Sequence, residues 1–184
     1  MKTTLSVALA CLLAFGAQAV TITPGANIQE TVQEAFILAE EGDVIEFAAG
    51  TYEFTMGLSL DVDNVTIRGA GLDETIFTFK NQNAGSEGLI ITSSGVTLED
   101  FAIEDAVGDA IKVKGAKGIT FRRVRTEWTG GPKSTNGAYG FYPVSSTDVL
   151  IDGCIVRGAS DAGVYVGQST NIIVRNCLVE YNVA

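Results

Sequence analysis

The sequence predicts an all-β solenoid, namely a right-handed parallel β-helix with an α-helical cap at its N-terminal end and no cap at its C-terminal end. Three observations support this prediction: a six-residue segment that occurs five times, the 23-residue period of these copies, and an amphipathic helical stretch ahead of the first copy. The chain of 184 residues is long enough for one such domain.

Five copies of a short segment define the repeat. They are NVTIRG from Asn64, GVTLED from Gly95, GITFRR from Gly118, DVLIDG from Asp148 and NIIVRN from Asn171. Successive copies begin 31, 23, 30 and 23 residues apart, so the basic period is 23 with insertions of seven or eight residues. A strand–helix–strand unit needs about 30 residues, whereas a coil of short strands fits the shorter period. The apolar–polar alternation in each copy places one side of each strand inside the solenoid.

Equivalent positions in the copies form two columns that indicate the register between coils. The first column carries charges that alternate in sign: Arg68, Glu99, Arg122, Asp152 and Arg175. Opposite charges on neighbouring strands attract, so this order favours the aligned register. The second column is apolar and is predicted to point inward: Phe101, Val124, Cys154 and Cys177. Neighbouring strands lie ~4.8 Å apart and disulfide-bonded Cβ atoms ~3.8 Å, so we expect the two cysteines to be unbridged.

The chain divides into three parts. Residues 1–19 combine an early lysine, an apolar run and an Ala-Gln-Ala motif, which is typical of a secretory signal peptide and predicts export to the periplasm or the extracellular space. Residues 20–63 are expected to form the cap helix and the first strands. Residues 64–184 are expected to form the coils. Because the sequence ends within a repeat, we expect these coils to be incomplete at the C-terminal end.

The cap helix is predicted from apolar residues at helical spacing, with Asn27 as its N-cap and Gly42 as its stop. The apolar positions are Ile28, Val32, Ala35, Phe36 and Ala39. Such a helix would cover the open end of the first coil and protect its strand edges.

The composition excludes several classes of function. The chain contains no histidine, which rules out Ser-His-Asp and Cys-His catalysis and histidine-ligated metal sites. Its net charge of −10 makes nucleic acid an unfavourable partner. The acidic residues form no calcium-loop motif, so we expect no metal and no cofactor, and no later apolar run is long enough for a membrane span. The charge is uneven: residues 20–109 contain 17 acidic residues against two basic ones, and residues 110–184 contain nine basic residues against five acidic ones.

A candidate binding site follows from the second strand of each coil. The strands AIKV, GFYPV and GVYV place Lys112, Tyr142 and Tyr165 in one outward column. The insertion TGGPKSTNG lies beside this column, and loops of extra length on a rigid scaffold often carry function. The residues expected to bind a saccharide are Asp109, Lys112, Trp128, Lys133, Tyr139, Tyr142, Asp161 and Tyr165. The rings would cover a sugar face, the lysines would hold a carboxylate or sulfate, and the aspartates would accept sugar hydroxyls. The alternative is that the tyrosines only cover an exposed sheet.

Several stretches resemble a known group of proteins. IQETVQEAFILAEEGDVIEFAAGTYEF, GDAIKV, RRVRTEWTGGPKSTNGAYGFYPV and GASDAGVYVGQSTNIIVRN are similar to a family of exported parallel β-helix repeat proteins without an established function. Its relatives include NosD-type periplasmic proteins, mannuronan epimerases and pectate-lyase-like proteins, and the resemblance covers nearly all of residues 28–184. The epimerases carry Tyr-Gly-hydrophobic-Asp-Pro-His where this chain has YGFYPV. Their acid and imidazole therefore fall on Tyr142 and Val144, so the resemblance implies the fold and a polysaccharide but a rewritten site.

Three functions follow as hypotheses. The first is an exported carbohydrate-binding or surface scaffold protein without assigned catalysis. The second is a polysaccharide lyase or uronate epimerase, with Tyr142 as a base whose pKa Lys112 lowers, or with Arg123 or Arg125 as the base. The third is a protein-interaction module that docks a partner, or further coils, on the open C-terminal end.

Overall fold

A computed structural model of the chain describes residues 19–184. The elements in chain order are β1 (Ala19–Ile22), α1 (Ile28–Leu38), β2 (Val44–Phe47), β3 (Gly50–Glu53), β4 (Met56–Leu60), β5 (Thr66–Arg68), β6 (Thr75–Thr78), β7 (Ala84–Ile91), β8 (Thr97–Glu104), β9 (Ile111–Lys114), β10 (Lys117–Glu127), β11 (Phe141–Val144), β12 (Thr147–Asp152), β13 (Ile155–Arg157), β14 (Thr170–Arg175) and β15 (Leu178–Glu180). The predicted signal peptide, except for Ala19, lies outside the described residues and stays a prediction.

Every strand pair is parallel, and the strands stack into coils with three faces. The first face consists of β1, β2, β5, the beginnings of β8 and β10, β12 and β14. The second face consists of β3, β6, the ends of β8 and β10, β13 and β15. The third face consists of β4, β7, β9 and β11. This is the parallel β-helix that the repeat predicted.

A left-handed backbone conformation at or just before the start of the first-face strands explains which residue begins each repeat copy. The five residues that begin the copies are Asn64, Gly95, Gly118, Asp148 and Asn171, with φ of 59°, 69°, 72°, 57° and 56°. This left-handed conformation is accessible to glycine and tolerated by asparagine and aspartate, whereas other side chains rarely adopt it. The recurring Asn, Gly and Asp are therefore demanded by the left-handed backbone at or just before the start of each of these first-face strands.

The predicted register is confirmed on the first face. Val149 pairs with Ile119 on one side and with Ile172 on the other, as the alignment of the copies requires. The alternating charges form ion pairs along the same face. Arg68 Nε lies 2.7 Å from Glu99 Oε1, and Arg122 Nη1 lies 3.2 Å from Glu99 Oε2. The ladder also includes Glu46–Arg68 at 3.2 Å and Asp152–Arg175 at 2.8 Å.

The interior of the coils is filled by apolar and aromatic side chains. The rings of Phe47, Phe77 and Phe101 contact one another through successive coils, edge-to-face at a centroid distance of 4.7 Å and then tilted at 5.0 Å. Tyr52 is fully buried, and its hydroxyl donates to backbone carbonyl oxygens at 2.8 and 2.9 Å. Cys154 is buried in the predicted inward column, and both it and the partly buried Cys177 are free thiols, as expected.

The cap helix α1 covers the first coil as predicted, but its ends differ from the prediction. Ile28, Val32 and Phe36 are buried against the coil. Asn27 stands at the N-cap position in the left-handed region, and its side chain makes no capping hydrogen bond; its backbone oxygen accepts from Thr31 instead. The helix ends at Leu38, before Gly42, because the following residue already has an extended ψ of 147°.

The last described coil leaves apolar side chains exposed. Ile173 and Val174 of β14 and Leu178 and Val179 of β15 each retain 44–48% of their accessible surface. No element among residues 19–184 covers this coil, so its strands end the described stack with an open face.

Candidate functional site

Two columns of side chains run across the third face from coil to coil. The first consists of outward residues of the strands: Ile90, Lys112 and Tyr142, which are aligned by strand pairing, and then Tyr165. The second lies at the edge where these strands begin and consists of Glu87, Asp109 and Tyr139, linked by the backbone hydrogen bonds from Gly88 to Asp109 and from Ala110 to Tyr139. Neighbouring inward residues, such as Ile111 and Phe141, are fully buried and hold both columns in place.

Three aromatic rings form what we call the tyrosine patch, Tyr139, Tyr142 and Tyr165. The rings of Tyr139 and Tyr165 are stacked, with centroids 4.6 Å apart and planes 15° apart. Tyr142 contacts both, at centroid distances of 5.0 and 5.3 Å. Tyr165 is the most open member, with 42% of its surface exposed. The sequence therefore placed Tyr142 and Tyr165 in the correct column, and the structure adds Tyr139 to it from the edge.

Lys112 is already neutralised by two carboxylates. Its Nζ lies 3.0 Å from Glu87 Oε1 and 3.5 Å from Asp109 Oδ2, and also 5.1 Å from the centre of the Tyr142 ring. Burial opposes the charged form, but the two carboxylates outweigh it and raise the pKa of Lys112. Lys112, expected from the sequence to hold a ligand's carboxylate or sulfate, is thus paired with two carboxylates of the protein itself.

The two carboxylates around Lys112 have opposite pKa shifts. Burial raises the pKa of Asp109, and the nearby Lys112 only partly offsets this effect. Burial also acts on Glu87, but hydrogen bonds from Ser86 and Lys112 outweigh it and lower the pKa of Glu87. Sequence reasoning missed Glu87, although it precedes Ile90 by three residues just as Asp109 precedes Lys112. That shared offset was the signal that could have found it.

Asp161 lies at the rim of the tyrosine patch. The hydroxyl of Tyr139 donates to Asp161 Oδ2 at 3.4 Å, and Asp161 is exposed. Burial and then the charge of Asp161 raise the pKa of Tyr139. The structure thus brings together Asp109, Lys112, Tyr139, Tyr142, Asp161 and Tyr165 from the predicted set.

Two predicted binding residues do not join this group. Trp128 is only 5% exposed, and its indole Nε1 donates to the Ala106 carbonyl at 2.7 Å, so it is a core residue and the prediction that it binds a sugar is wrong. The indole is large and apolar, and the coil interior offered it both contacts and an acceptor. Lys133 is exposed in the insertion, and its ammonium makes no ion pair with any residue that the structure describes. Asn136 ties this insertion to the carbonyls of Gly131 and Gly158.

The two arginines considered as bases lie away from the third face. Arg123 forms a bidentate pair with Asp100, with N–O distances of 2.6 and 2.7 Å. Arg125 is 8% exposed in its side chain and contacts three carboxylates, those of Asp73, Glu104 and Glu127, at 2.6–3.3 Å. Both guanidinium groups are paired with carboxylates of the scaffold and not with the residues of the third face.

Neither a metal centre nor a spanning helix is found in the described part of the chain. Residues 19–184 contain no group of three or more cysteine, aspartate or glutamate side chains arranged to hold a metal ion. Within the same residues, no helix has the length and apolar character that crossing a membrane requires.

Solved structures with the same fold include several carbohydrate-active proteins. The chain is similar to an alginate lyase from Paenibacillus sp. str. FPU-7, with a TM-score of 0.60 and 15% identity over 86% of this chain and 65% of the lyase. It thus spans about two thirds of that enzyme. It is also similar to a protein from Parabacteroides merdae ATCC 43184 assigned as a glycosyl hydrolase, with a TM-score of 0.59 and 15% identity over 82% of this chain and 87% of that one.

A third similar structure is the catalytic domain of a GH87 α-1,3-glucanase in complex with nigerose. Its TM-score is 0.52, with 17% identity over 79% of this chain and 31% of the glucanase chain. Because the sequence identities are low, these structural similarities establish the fold of the chain and nothing further. A comparison with curated protein sequences finds no significant match.

The sequence profile of one family matches most of the chain. The family is described as "Right handed beta helix region", and the match extends over residues 55–184, which includes β4 and every later strand. The matched residues are those that form the repeated coils and carry the tyrosine patch. The chain belongs to this family of right-handed β-helix proteins.

Proposed function

We propose that this chain is an exported carbohydrate-binding protein that holds a polysaccharide on the tyrosine patch of its third face. The observation that carries the proposal is the contact between the three rings of Tyr139, Tyr142 and Tyr165, which form one aromatic surface across adjacent coils. Pyranose rings have an apolar face of C–H groups, and an aromatic surface removes that face from water. Carboxylates at the rim, such as Asp161, would accept sugar hydroxyls.

The patch is also held rigid before any ligand arrives. Each ring contacts the other two, and Tyr142 lies beneath the Lys112 ammonium. The strand and bridge pairing that places Tyr142 and Tyr165 belongs to a continuous parallel stack. Binding to a preorganised surface avoids much of the entropy cost of ordering side chains. A polysaccharide running along the solenoid axis would meet one ring after another.

The fold supports a carbohydrate ligand and leaves catalysis unassigned. Two of the similar structures are named as an alginate lyase and an α-1,3-glucanase, so this scaffold occurs in proteins that act on polysaccharides. Proton abstraction beside a uronate carboxylate needs a base and a free positive charge to neutralise the carboxylate. Lys112, the cation beside Tyr142, is paired with Glu87 and Asp109. Binding without catalysis is therefore the function that we favour.

The proposed binding is tested by removing two of the three rings, including the most exposed one. We would measure retention of the Tyr139→Ala/Tyr165→Ala double variant on a panel of immobilised neutral and acidic polysaccharides. The loss of two ring contacts should weaken binding of the recognised polysaccharide at least tenfold, because stacking on aromatic rings contributes about 1 kcal/mol per ring pair. Tyr181→Ala is the matched control, since Tyr181 is 69% exposed on the last coil and lies outside the patch. Equal binding by the two variants would refute the proposal.

Export is the second part of the proposal and rests on the predicted signal peptide of residues 1–19. Cleavage after Ala19 would leave Val20–Ile22 to pair with β2, so the first strand would survive processing. We expect the protein to be recovered outside the cytoplasm with Val20 as its first residue, as read by N-terminal sequencing. Recovery of the unprocessed chain in the cytoplasm would argue against export.

A further inference from the structure

We infer that the tyrosine patch is selective for glycans that carry no carboxylate, so that its ligand is a neutral polysaccharide rather than a uronate polymer. The inference rests on the proposed function and adds the chemical class of the ligand to it. It departs from the sequence-based expectation that Lys112 would hold an acidic sugar.

The first observation is the state of Lys112. Its ammonium is surrounded by Glu87 Oε1 at 3.0 Å and Asp109 Oδ2 at 3.5 Å, and all three side chains are no more than 23% exposed. A uronate that approached Lys112 would meet two carboxylates in a partly buried setting, where screening by salt is weak. Displacing them would leave a buried charge without its partner, which is costly. The group of three carries a net negative charge and repels a further carboxylate.

The second observation is the charge around the rings themselves. Asp161 is exposed and accepts the hydroxyl hydrogen bond of Tyr139 at 3.4 Å, so a negative charge stands at the rim of the patch. Lys114 is the cation on the same strand as Lys112, but it lies two residues further on, at the edge opposite to Asp109, and pairs with Val144 in the register. Among the charged side chains with contacts to the rings or to Lys112, the three carboxylates of Glu87, Asp109 and Asp161 accompany the one ammonium of Lys112. These carboxylates do not repel a neutral sugar, and they can accept hydrogen bonds from its hydroxyls.

The test uses pairs of oligosaccharides that share a linkage and differ only at carbon 6. Three pairs are hexamers of β-1,4-glucan and β-1,4-glucuronan, β-1,4-mannan and β-1,4-mannuronan, and α-1,3-glucan and its C6-oxidised form. We would measure binding by calorimetry with the whole exported chain at 20 mM and 300 mM salt. We expect the neutral member of at least one pair to bind at least fivefold more tightly at low salt. High salt should reduce only the part of the difference that comes from the exposed Asp161, because screening is weak at the partly buried group of Lys112 and its two carboxylates.

Charge variants connect the selectivity to the named residues. Glu87→Gln frees Lys112 from one partner, so it should raise uronate affinity severalfold and leave neutral binding within twofold. Asp161→Asn removes the charge at the rim, so it should raise uronate affinity relative to neutral affinity severalfold. Glu53→Gln is the matched control, because Glu53 is exposed on β3 of the second face. It should change neither affinity.

The outcomes separate the inference from the proposed function. Neutral binding that is lost in Tyr165→Ala, with weaker uronate binding, supports both. Tighter uronate binding overturns the inference; if it is lost in Tyr165→Ala, the proposed binding surface stands. Uronate binding that is lost in Lys114→Ala but kept in Tyr165→Ala overturns both, since it places the ligand at the other edge. Binding of no glycan in any pair, and of none on the polysaccharide panel, overturns both as well.

Discussion

Tyr139 and Tyr165 come from different coils, yet their rings stack with centroids 4.6 Å apart and planes 15° apart. We predict that this contact contributes about 0.5–1.5 kcal/mol to folding. Urea unfolding of Tyr139→Ala, Tyr165→Ala and the double variant should give a coupling energy of that size. The pair Tyr165 and Tyr181, for which the structure shows no ring contact, should be additive within about 0.5 kcal/mol. Additive effects for Tyr139 and Tyr165 would contradict the stacking.

The ion pairs of Glu99 on the first face should contribute measurably to the stability of the fold. Glu99 is the least exposed rung, and it contacts both Arg68 and Arg122. We expect Glu99→Gln to lower the free energy of unfolding by about 1 kcal/mol, with a smaller loss at high salt, because the two arginines are partly exposed. Glu53→Gln on the second face should change it by less than about 0.5 kcal/mol. A loss of stability that is the same at all salt concentrations would point to packing instead of charge.

The left-handed conformation of Gly118 predicts that an alanine there lowers stability for conformational reasons alone. At Gly118 an added Cβ would meet no atom closer than 3.9 Å, yet the residue has a φ of +72°. Gly118→Ala should therefore destabilise the protein by about 1 kcal/mol, since a left-handed residue with a Cβ costs about 1–2 kcal/mol. Gly25 is equally open and lies outside the left-handed region, so Gly25→Ala should be neutral or slightly stabilising. Thermal unfolding of both variants shows whether the backbone conformation, and not the space for a Cβ, sets the cost. An equal loss of stability in the two variants would refute this explanation.

The buried hydroxyl of Tyr52 predicts a loss of stability at alkaline pH. Burial raises the pKa of Tyr52 from 10.0 to about 12. Because the folded-state pKa lies above the unfolded one, the contribution is complete below pH 10 and is lost as the pH rises towards 12. The loss should reach about 2–3 kcal/mol, because a difference of one pH unit between the folded and unfolded pKa corresponds to about 1.4 kcal/mol.

Tyr52→Phe separates this ionisation from general alkaline unfolding. The variant should be less stable at neutral pH by about 1–3 kcal/mol, because the carbonyls of Ile22 and Ala48 lose their donor. Its stability should then fall less steeply between pH 10 and 12 than that of the parent chain. Denaturant unfolding at several pH values checks both effects, and parallel curves would rule out Tyr52 as the titrating group.

The cysteine column predicts unequal reactivity of the two thiols. Burial raises the pKa of Cys154 to about 12, so almost no thiolate is present at pH 8, whereas Cys177 is partly exposed. In the chain from Val20 onward, a thiol reagent should modify about one cysteine in the native state and two after denaturation. Cys177→Ser should remove the native signal. Zero thiols in the denatured protein would show that the two are bridged.

The local sequence determined the solenoid because a β-helix repeats its backbone conformation coil after coil. A left-handed residue recurs at Asn64, Gly95 and Gly118, and this conformation selects Asn, Gly or Asp at the beginning of each copy. Strand alternation then assigns side chains to the inside or the outside. The register, the ion-pair ladder and the Lys112–Tyr142–Tyr165 column followed from these two rules.

Only the tertiary structure decided what the outward side chains touch. Trp128 folds into the core, where its indole donates to the Ala106 carbonyl, and Glu87 reaches Lys112 from an earlier coil. The positions of both side chains depend on the paths of the loops and on the reach of long side chains. The 23-residue repeat of the sequence encodes neither. The fold also decided the surroundings of Lys112, because the sequence suggested a free cation there and the structure pairs it with two carboxylates.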